Sequence, residues 1–284
     1  MQTPDQLIDR LIELAFAEDV GDGDATTLST IPADAMGRQH LLIKQEGILA
    51  GVDIARRVFE FFDPSLKMTV FIEDGAHVKP GDIAFVVEGP VRSLLQTERT
   101  MLNIMQRMSG IATMTAKYQE RLAGLHTKVL DTRKTTPGMR ILEKMAVKIG
   151  GGANHRIGLF DMILIKDNHT DFAGGIAQAV ARAKEWNRAN GKNLRIEQEV
   201  RNTDEINEAL EAGVDRIMLD NFTPERTAEA VKLIRSKNPS VEIESSGGIT
   251  LDTLRDYGEA GVDFISVGAL THSVKGLDMS FKAC

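Results

Sequence analysis

A chain of 284 residues with 42% apolar and 26% charged side chains has material for a sizeable core, and for about two domains or one barrel with an addition. Its net charge of −7 argues against a nucleic-acid partner, because phosphate backbones call for a basic footprint. No apolar run approaches the ~18 residues of a membrane span, the first residues lack the order of a secretory signal, and the single Cys284 excludes an internal disulfide; the expectation is a cytoplasmic protein without a membrane partner.

Thr3, Pro4 and Gln6 predict a capped helix start, and Leu7, Ile8, Leu11, Ile12 and Ala15 continue it at helical spacing. The acidic, glycine-containing stretch 18–27 predicts a loop. Residues 38–45, 68–72 and 83–87 predict strands, with a helix over 53–62, which together suggest an α+β sandwich. A helical pattern over 94–122 is expected to break near Gly110. The domain boundary is placed there, giving 1–110 as the sandwich domain, 111–270 as a second domain and 271–284 as a segment returning to the first. From residue 128 the rhythm changes. Strands at 129–131, 163–165, 195–200, 216–220, 241–245 and 264–267 alternate with helices at 174–190, 203–212, 224–236 and 251–260. Such alternation predicts parallel strands with right-handed crossovers, either an open doubly wound sheet or, preferred, a closed or nearly closed α/β barrel. The alternating run 277–282 is expected to pair back onto the first domain.

Polar residues stand at the ends of nearly all these strands: Asp131-Thr132-Arg133-Lys134, Lys166-Asp167-Asn168-His169, Glu199, Asp220-Asn221, Ser245-Ser246-Gly247-Gly248 and Gly268-Ala269. In α/β barrels the C-terminal strand ends converge on one mouth, where active sites lie. Asp131 and Ser245 can each also be read as simple helix N-caps. The two glycine sites, after the last two strands, suit a phosphate monoester; the plainer reading is two tight turns. Residues 133–166 carry seven basic side chains against two acids. Arg140, Lys144 and Lys148 have the four-residue spacing of a solvated helix face. Arg133, Lys134, Arg156 and Lys166 lie elsewhere and suit carboxylates and phosphates. Glu199 and Asp220 offer oxygen ligands for Mg²⁺ or acceptors for sugar hydroxyls; as ion-pair partners alone they leave a surplus of cations, which an anionic ligand resolves. His155 follows a glycine run, beside Arg156, where an anion-binding role is open to it. No HExxH, CxxC or P-loop pattern occurs, which disfavours zinc and P-loop chemistry.

These residues sit in longer motifs. Asp131-Thr132-Arg133-Lys134-Thr135, Gly150-Gly151-Gly152-Ala153-Asn154-His155-Arg156, Ile165-Lys166-Asp167-Asn168-His169 and Met218-Leu219-Asp220-Asn221-Phe222 strongly resemble the quinolinate phosphoribosyltransferases. So do the stretches 18–27 and 98–103, and the resemblance spans essentially the whole chain in order. It implies an N-terminal sandwich followed by a seven-stranded, incomplete α/β barrel, of which the pattern supplies six strands. It also implies a homodimer or larger assembly in which one subunit's sandwich covers the other's barrel mouth, bringing Arg99 to the partner's site.

The implied reaction joins quinolinate to 5-phosphoribosyl 1-pyrophosphate with Mg²⁺, giving nicotinate mononucleotide, pyrophosphate and CO₂. By the same resemblance Arg99, Arg133, Arg156 and Lys166, helped by His155, hold the quinolinate carboxylates, in a site to which Thr132 also belongs. Lys134 neutralises the leaving pyrophosphate. Glu199 and Asp220 steady the ribose hydroxyls and magnesium. Ser246, Gly247, Gly248, Val267, Gly268, Ala269 and His272 take the 5′-phosphate. Three alternatives compete: a barrel aldolase using Lys166 as a Schiff-base amine, a non-catalytic phosphate sensor, and a related phosphoribosyltransferase with another acceptor.

Overall fold

The computed structural model describes residues 2–284 and divides into two compact units. The first comprises residues up to Ala116, Lys134–Gly151 and Ala269–Cys284; the second comprises Lys117–Arg133 and Gly152–Gly268. In chain order the first unit begins with α1 (Pro4–Asp19), α2 (Ala25–Thr30), β1 (Met36–Ile43), β2 (Gly47–Ile48), α3 (Val52–Phe62), β3 (Lys67–Val70), β4 (His77–Val78), β5 (Ile83–Pro90) and α4 (Val91–Arg121). There follow β6 (Lys128–Leu130), α5 (Arg140–Ile149), β7 (Ile163–Ile165), α6 (Asp167–Ala173), α7 (Ile176–Ala189), β8 (Ile196–Val200), α8 (Thr203–Ala212), β9 (Arg216–Asp220), α9 (Pro224–Lys237), β10 (Glu242–Ser246), α10 (Leu254–Glu259), β11 (Phe264–Ser266), α11 (Ala269–His272) and β12 (Met279–Ala283). Among the described residues no helix is long and apolar enough to cross a membrane.

In the first unit, α1 opens with the expected capping box: Gln6 N–H donates to Thr3 Oγ1 at 3.2 Å, and Thr3 N–H to Gln6 Oε1 at 2.9 Å. An antiparallel sheet in the order β12-β1-β5-β3 pairs Leu41 of β1 with Phe281 of β12. Phe59 of α3 meets Phe85 and Phe281 from the sheet, with ring centroids 6.2 and 5.9 Å away, so one aromatic cluster joins helix and sheet.

Three expectations for this unit need correction. The stretch 18–27 is not all loop, because Asp24 caps α2 by accepting Thr27 N–H at 3.0 Å. Helix α4 runs unbroken through Gly110. That glycine is there for close approach: a Cβ would press on the Lys275 carbonyl and lie 3.1 Å from Val274 Cγ1. Gly110→Ala should therefore cost about 1–3 kcal/mol, read as a lower urea midpoint, where a mere helix-interior glycine would gain stability from alanine. Finally, the repeat Arg140, Lys144, Lys148 is not one solvated face, since Lys144 is 1% exposed and Lys148 alone of the three is exposed.

The same packing explains why the compact units differ from the expected 1–110, 111–270 and 271–284. Arg107 on α4 donates to Glu143 of α5 at 2.8 Å and to the Val274 carbonyl at 3.2 Å, drawing α5 and the segment after Gly268 into the first unit. Arg107 also donates to the Thr271 carbonyl, and Thr271 Oγ1 to the Lys134 carbonyl at 2.8 Å.

The second unit is a six-stranded parallel sheet in the order β6-β11-β10-β9-β8-β7, with helices between successive strands. β6 pairs β11 on one side, and on the other makes a single parallel bridge, Leu130 to Ala153. That bridge occupies the seventh position of the expected incomplete barrel. It escaped the sequence pattern because one bridge inside a glycine-rich run has no alternation to detect.

Candidate active site

Side chains alternate along a strand, so β8 presents Glu197 and Glu199 on one face and Gln198 on the other. The parallel register stacks same-face residues in tiers. Glu197, Arg216 and Glu242 form one tier, Glu199, Met218 and Glu244 the next, and Asp220 and Ser246 stand at the C-terminal ends.

The lower tiers hold a buried charge network. Arg216 donates to Glu244 Oε2 at 3.0 Å and through Nε and Nη2 to Glu242 Oε2 at 2.9 and 2.8 Å. His155 Nε2 lies 2.9 Å from Glu197 Oε2 and 3.5 Å from Glu244 Oε2. Burial pushes the Glu197 carboxyl up to about 7, against the pull of Arg216. Burial and then the Glu197 charge push Glu244 up to about 7 as well. Two carboxyls so placed favour holding one proton between them near neutrality. His155, Glu197 and Glu244 are metal-ligand types whose ligand atoms lie within 4.8 Å of one another. Arg156 N–H, however, donates to His155 Nδ1 at 2.7 Å. The neutral ring then carries its proton on Nε2, facing the carboxylates, with no lone pair there for a cation.

Above this network, Asp131 at the end of β6 is no N-cap. Its Oδ1 accepts His155 N–H at 2.9 Å and its Oδ2 accepts from the Asn154 amide. Asp131 and Glu197 thus fix the backbone and ring of His155, and His155 in turn fixes the start of Arg156. His155 is 8% and Arg156 9% exposed, while Arg133 is exposed. Burial, and then the charge of Arg133, press the Arg156 guanidinium below its usual value.

The next sector is mixed in sign. Lys166, at the start of α6, donates to Glu199 Oε2 at 3.1 Å, and Asp167 N–H to Glu199 Oε1 at 3.4 Å. Burial, and then Glu199, push the Asp220 carboxyl up, with Lys166 opposing. Glu199, Asp220 and Lys166 therefore share one electrostatic neighbourhood. The glycine turn follows β10, with Gly247 at φ +102° and Gly248 at +61°, and a Cβ on Gly248 would meet nothing within 4 Å. Val267 N–H donates to the Leu130 carbonyl at 2.9 Å, placing Gly268 beside the end of β6.

Of the residues singled out from sequence, Arg133, His155, Arg156, Lys166, Glu199, Asp220, Ser246, Gly247, Gly248, Val267 and Gly268 belong to this unit, with Thr132 beside Arg133. Arg99, Lys134, Ala269 and His272 belong to the first unit, where Arg99 is exposed on α4. Sequence reasoning missed Glu197, Glu244, Arg216, Asn154 and the backbone of Asn221. The signal for the first three was charge on one face of strands that otherwise read as buried, at every second position in β8 and β10.

Fold and strand-end residues together are those of an enzyme built on an incomplete α/β barrel with an added antiparallel-sheet unit. The chain belongs to the quinolinate phosphoribosyltransferase family: that family's C-terminal-domain model matches residues 111–282 and its N-terminal-domain model residues 24–109. It is 44% identical to quinolinate phosphoribosyltransferase [decarboxylating] 1b of Nicotiana tabacum, over 96% of this chain and 81% of that protein. It is 42% identical to the probable nicotinate-nucleotide pyrophosphorylase [carboxylating] of Bacillus subtilis, over 95% and 91% of the two chains. The solved nicotinate-nucleotide pyrophosphorylase from Francisella tularensis superposes with a TM-score of 0.92 at 41% identity, covering 100% of this chain and 98% of that one. The aldolase and sensor alternatives are not favoured by these matches.

Proposed function

We propose that this chain transfers the phosphoribosyl group of 5-phosphoribosyl 1-pyrophosphate to the ring nitrogen of quinolinate, with loss of CO₂, to give nicotinate mononucleotide and pyrophosphate for NAD biosynthesis. One observation supports the site assignment: the buried Arg156, its backbone fixed through His155 and Asp131, offers a preset guanidinium suited to a carboxylate. In this reading Arg133, Arg156 and Lys166 bind the quinolinate carboxylates, and Thr132 lies beside them. His155, whose ring nitrogens both face protein, positions Arg156. Glu199 and Asp220 hold the ribose hydroxyls as positive charge develops on the sugar. The 246–248 turn, Val267 and Gly268 take the 5′-phosphate through backbone N–H groups. Lys134, Ala269 and His272 are assigned to the donor's phosphates from the sequence motifs. The site works by orientation and fixed charge, without a protein nucleophile.

Two carboxylates close enough for the Glu199 charge to push the Asp220 carboxyl up are a fitting oxygen donor set for Mg²⁺, so Glu199 and Asp220 are the residues that would hold it, directly or through water. The ion would supply charge neutralisation for the pyrophosphate. A homodimer that brings Arg99 to a partner's site, a cytoplasmic location and the lack of a nucleic-acid partner complete the proposal; the last is supported by the net charge of −7. The test is direct. Purified protein given both substrates and Mg²⁺ should release nicotinate mononucleotide and pyrophosphate in equal amounts, stop when EDTA is added and resume with excess Mg²⁺. Failure to form that nucleotide would overturn the named reaction, and product formed equally well from nicotinate would favour another acceptor.

A further inference from the structure

Among the described residues Asn221 is the one non-glycine residue with a left-handed backbone, at φ +56°. Such a backbone is strained for most side chains and persists where its surroundings hold it; asparagine bears it better than most, and glycine bears it best. A position that served only to turn the chain would be as well filled by glycine. The side chain here has work of its own. Its Nδ2 donates to Asp220 Oδ2 at 2.7 Å. Its Oδ1 lies against Gly247, where a Cβ would collide with that oxygen and stand 2.7 Å from Cγ. Its backbone N–H donates to the Ser246 carbonyl at 2.9 Å. Asn221 is exposed, so the core does not call for it. One residue thus ties the carboxylate at the end of β9 to the glycine turn at the end of β10.

We propose that Asn221 is a positioning residue for the phosphoribosyl donor, holding the Asp220 carboxylate and the 246–248 turn in a fixed relation. The inference rests on the reaction proposed above, in which those two elements take the ribose hydroxyls and the 5′-phosphate of one rigid sugar. The spacing between hydroxyl and phosphate is set by the donor, so a mismatch between the two elements weakens both contacts at once. Gly247 follows from the same requirement: only a residue without Cβ leaves room for the amide.

The test compares wild type with Asn221→Gly and Asn221→Asp, measuring donor affinity by calorimetry with Mg²⁺, kcat, each KM and the melting temperature. Asn221→Gly should melt no lower than wild type. Its donor affinity and its kcat/KM for the donor should nonetheless fall about 10- to 100-fold, the effect of losing a hydrogen bond to a charged group. Its KM for quinolinate should stay within about twofold of wild type, because the loss is confined to one substrate. Asn221→Asp keeps the shape but faces Asp220 with an acceptor, and should lose at least as much. Wild-type donor binding and turnover in Asn221→Gly would reduce the residue to a turn and overturn the inference. A parallel loss in both KM values with a lower melting temperature would also overturn it. If wild type binds the donor but makes no nicotinate mononucleotide, the acceptor reading fails while the donor-affinity arm still decides the part of Asn221. If wild type does not bind the donor, both fail.

Discussion

Lys166→Met should lower kcat/KM by about 100- to 1,000-fold, the loss that follows removal of one preorganised charge from a transition-state site. The ammonium lies 3.1 Å from Glu199 Oε2, and Glu199 in turn raises the proton affinity of Asp220. Methionine keeps the length of the stem and removes the charge. In the proposed reading the acceptor carboxylate loses a cationic partner, and Asp220 loses a charge that opposes the rise of its carboxyl. Folding should hardly change, because the Lys166 side chain is 47% exposed and an ion pair in that setting contributes only about 0–1 kcal/mol. The measurement is steady-state kinetics beside a thermal melt. Turnover within threefold of wild type would remove Lys166 from the site.

The second large effect is on stability. Glu244→Ala should cost about 3–5 kcal/mol in urea unfolding, because it opens a cavity and strips a buried guanidinium of one partner. The pair Glu197 and Glu244 also sets a pH dependence. Both carboxyls are pushed up to about 7 in the folded protein, from 4.5 when freely hydrated. Folding therefore favours the protonated form. The stability that the shared proton contributes is complete below about pH 4.5 and is lost as the pH rises through about 7, an effect on the order of 3 kcal/mol for one proton. Glu244→Gln removes one of the two carboxyls, so its loss of stability between pH 5 and 8 should be smaller than that of wild type. Identical slopes would show that the pair does not share a proton.

Much of this architecture is legible in the chain because local periodicity coincides with the tertiary environment. The run 203–212 has an Asn202 cap and apolar residues at helical spacing, and it is helix α8 over the same residues. The strand 216–220 is equally plain, as an apolar core ends in Asp220. The rim residues were readable because polar side chains at strand ends interrupt that pattern. What escaped depends on contacts distant in sequence. Gly110 reads as a helix breaker until the chain near Lys275 is seen against it. Lys144 reads as a surface lysine because burial of a cation is decided by what folds over it. Glu197 and Glu244 lie in strands whose alternation fits a half-solvated sheet equally well, and in the fold that face is buried. Asn221 carries no sign in its one-letter code of the backbone angle it adopts.

The partnership of β1 with β12 bears on how the chain reaches this state during synthesis. β1 lies between β5 and β12, so until residues 279–283 leave the ribosome it is a bare margin of the sheet, able to pair with any extended segment nearby. Most of the polypeptide is made before its earliest strand acquires its last neighbour. A truncation of only a few residues at that end is thus a change to the oldest part of the nascent protein, and its first symptom should be clumping in the cell rather than a slower enzyme.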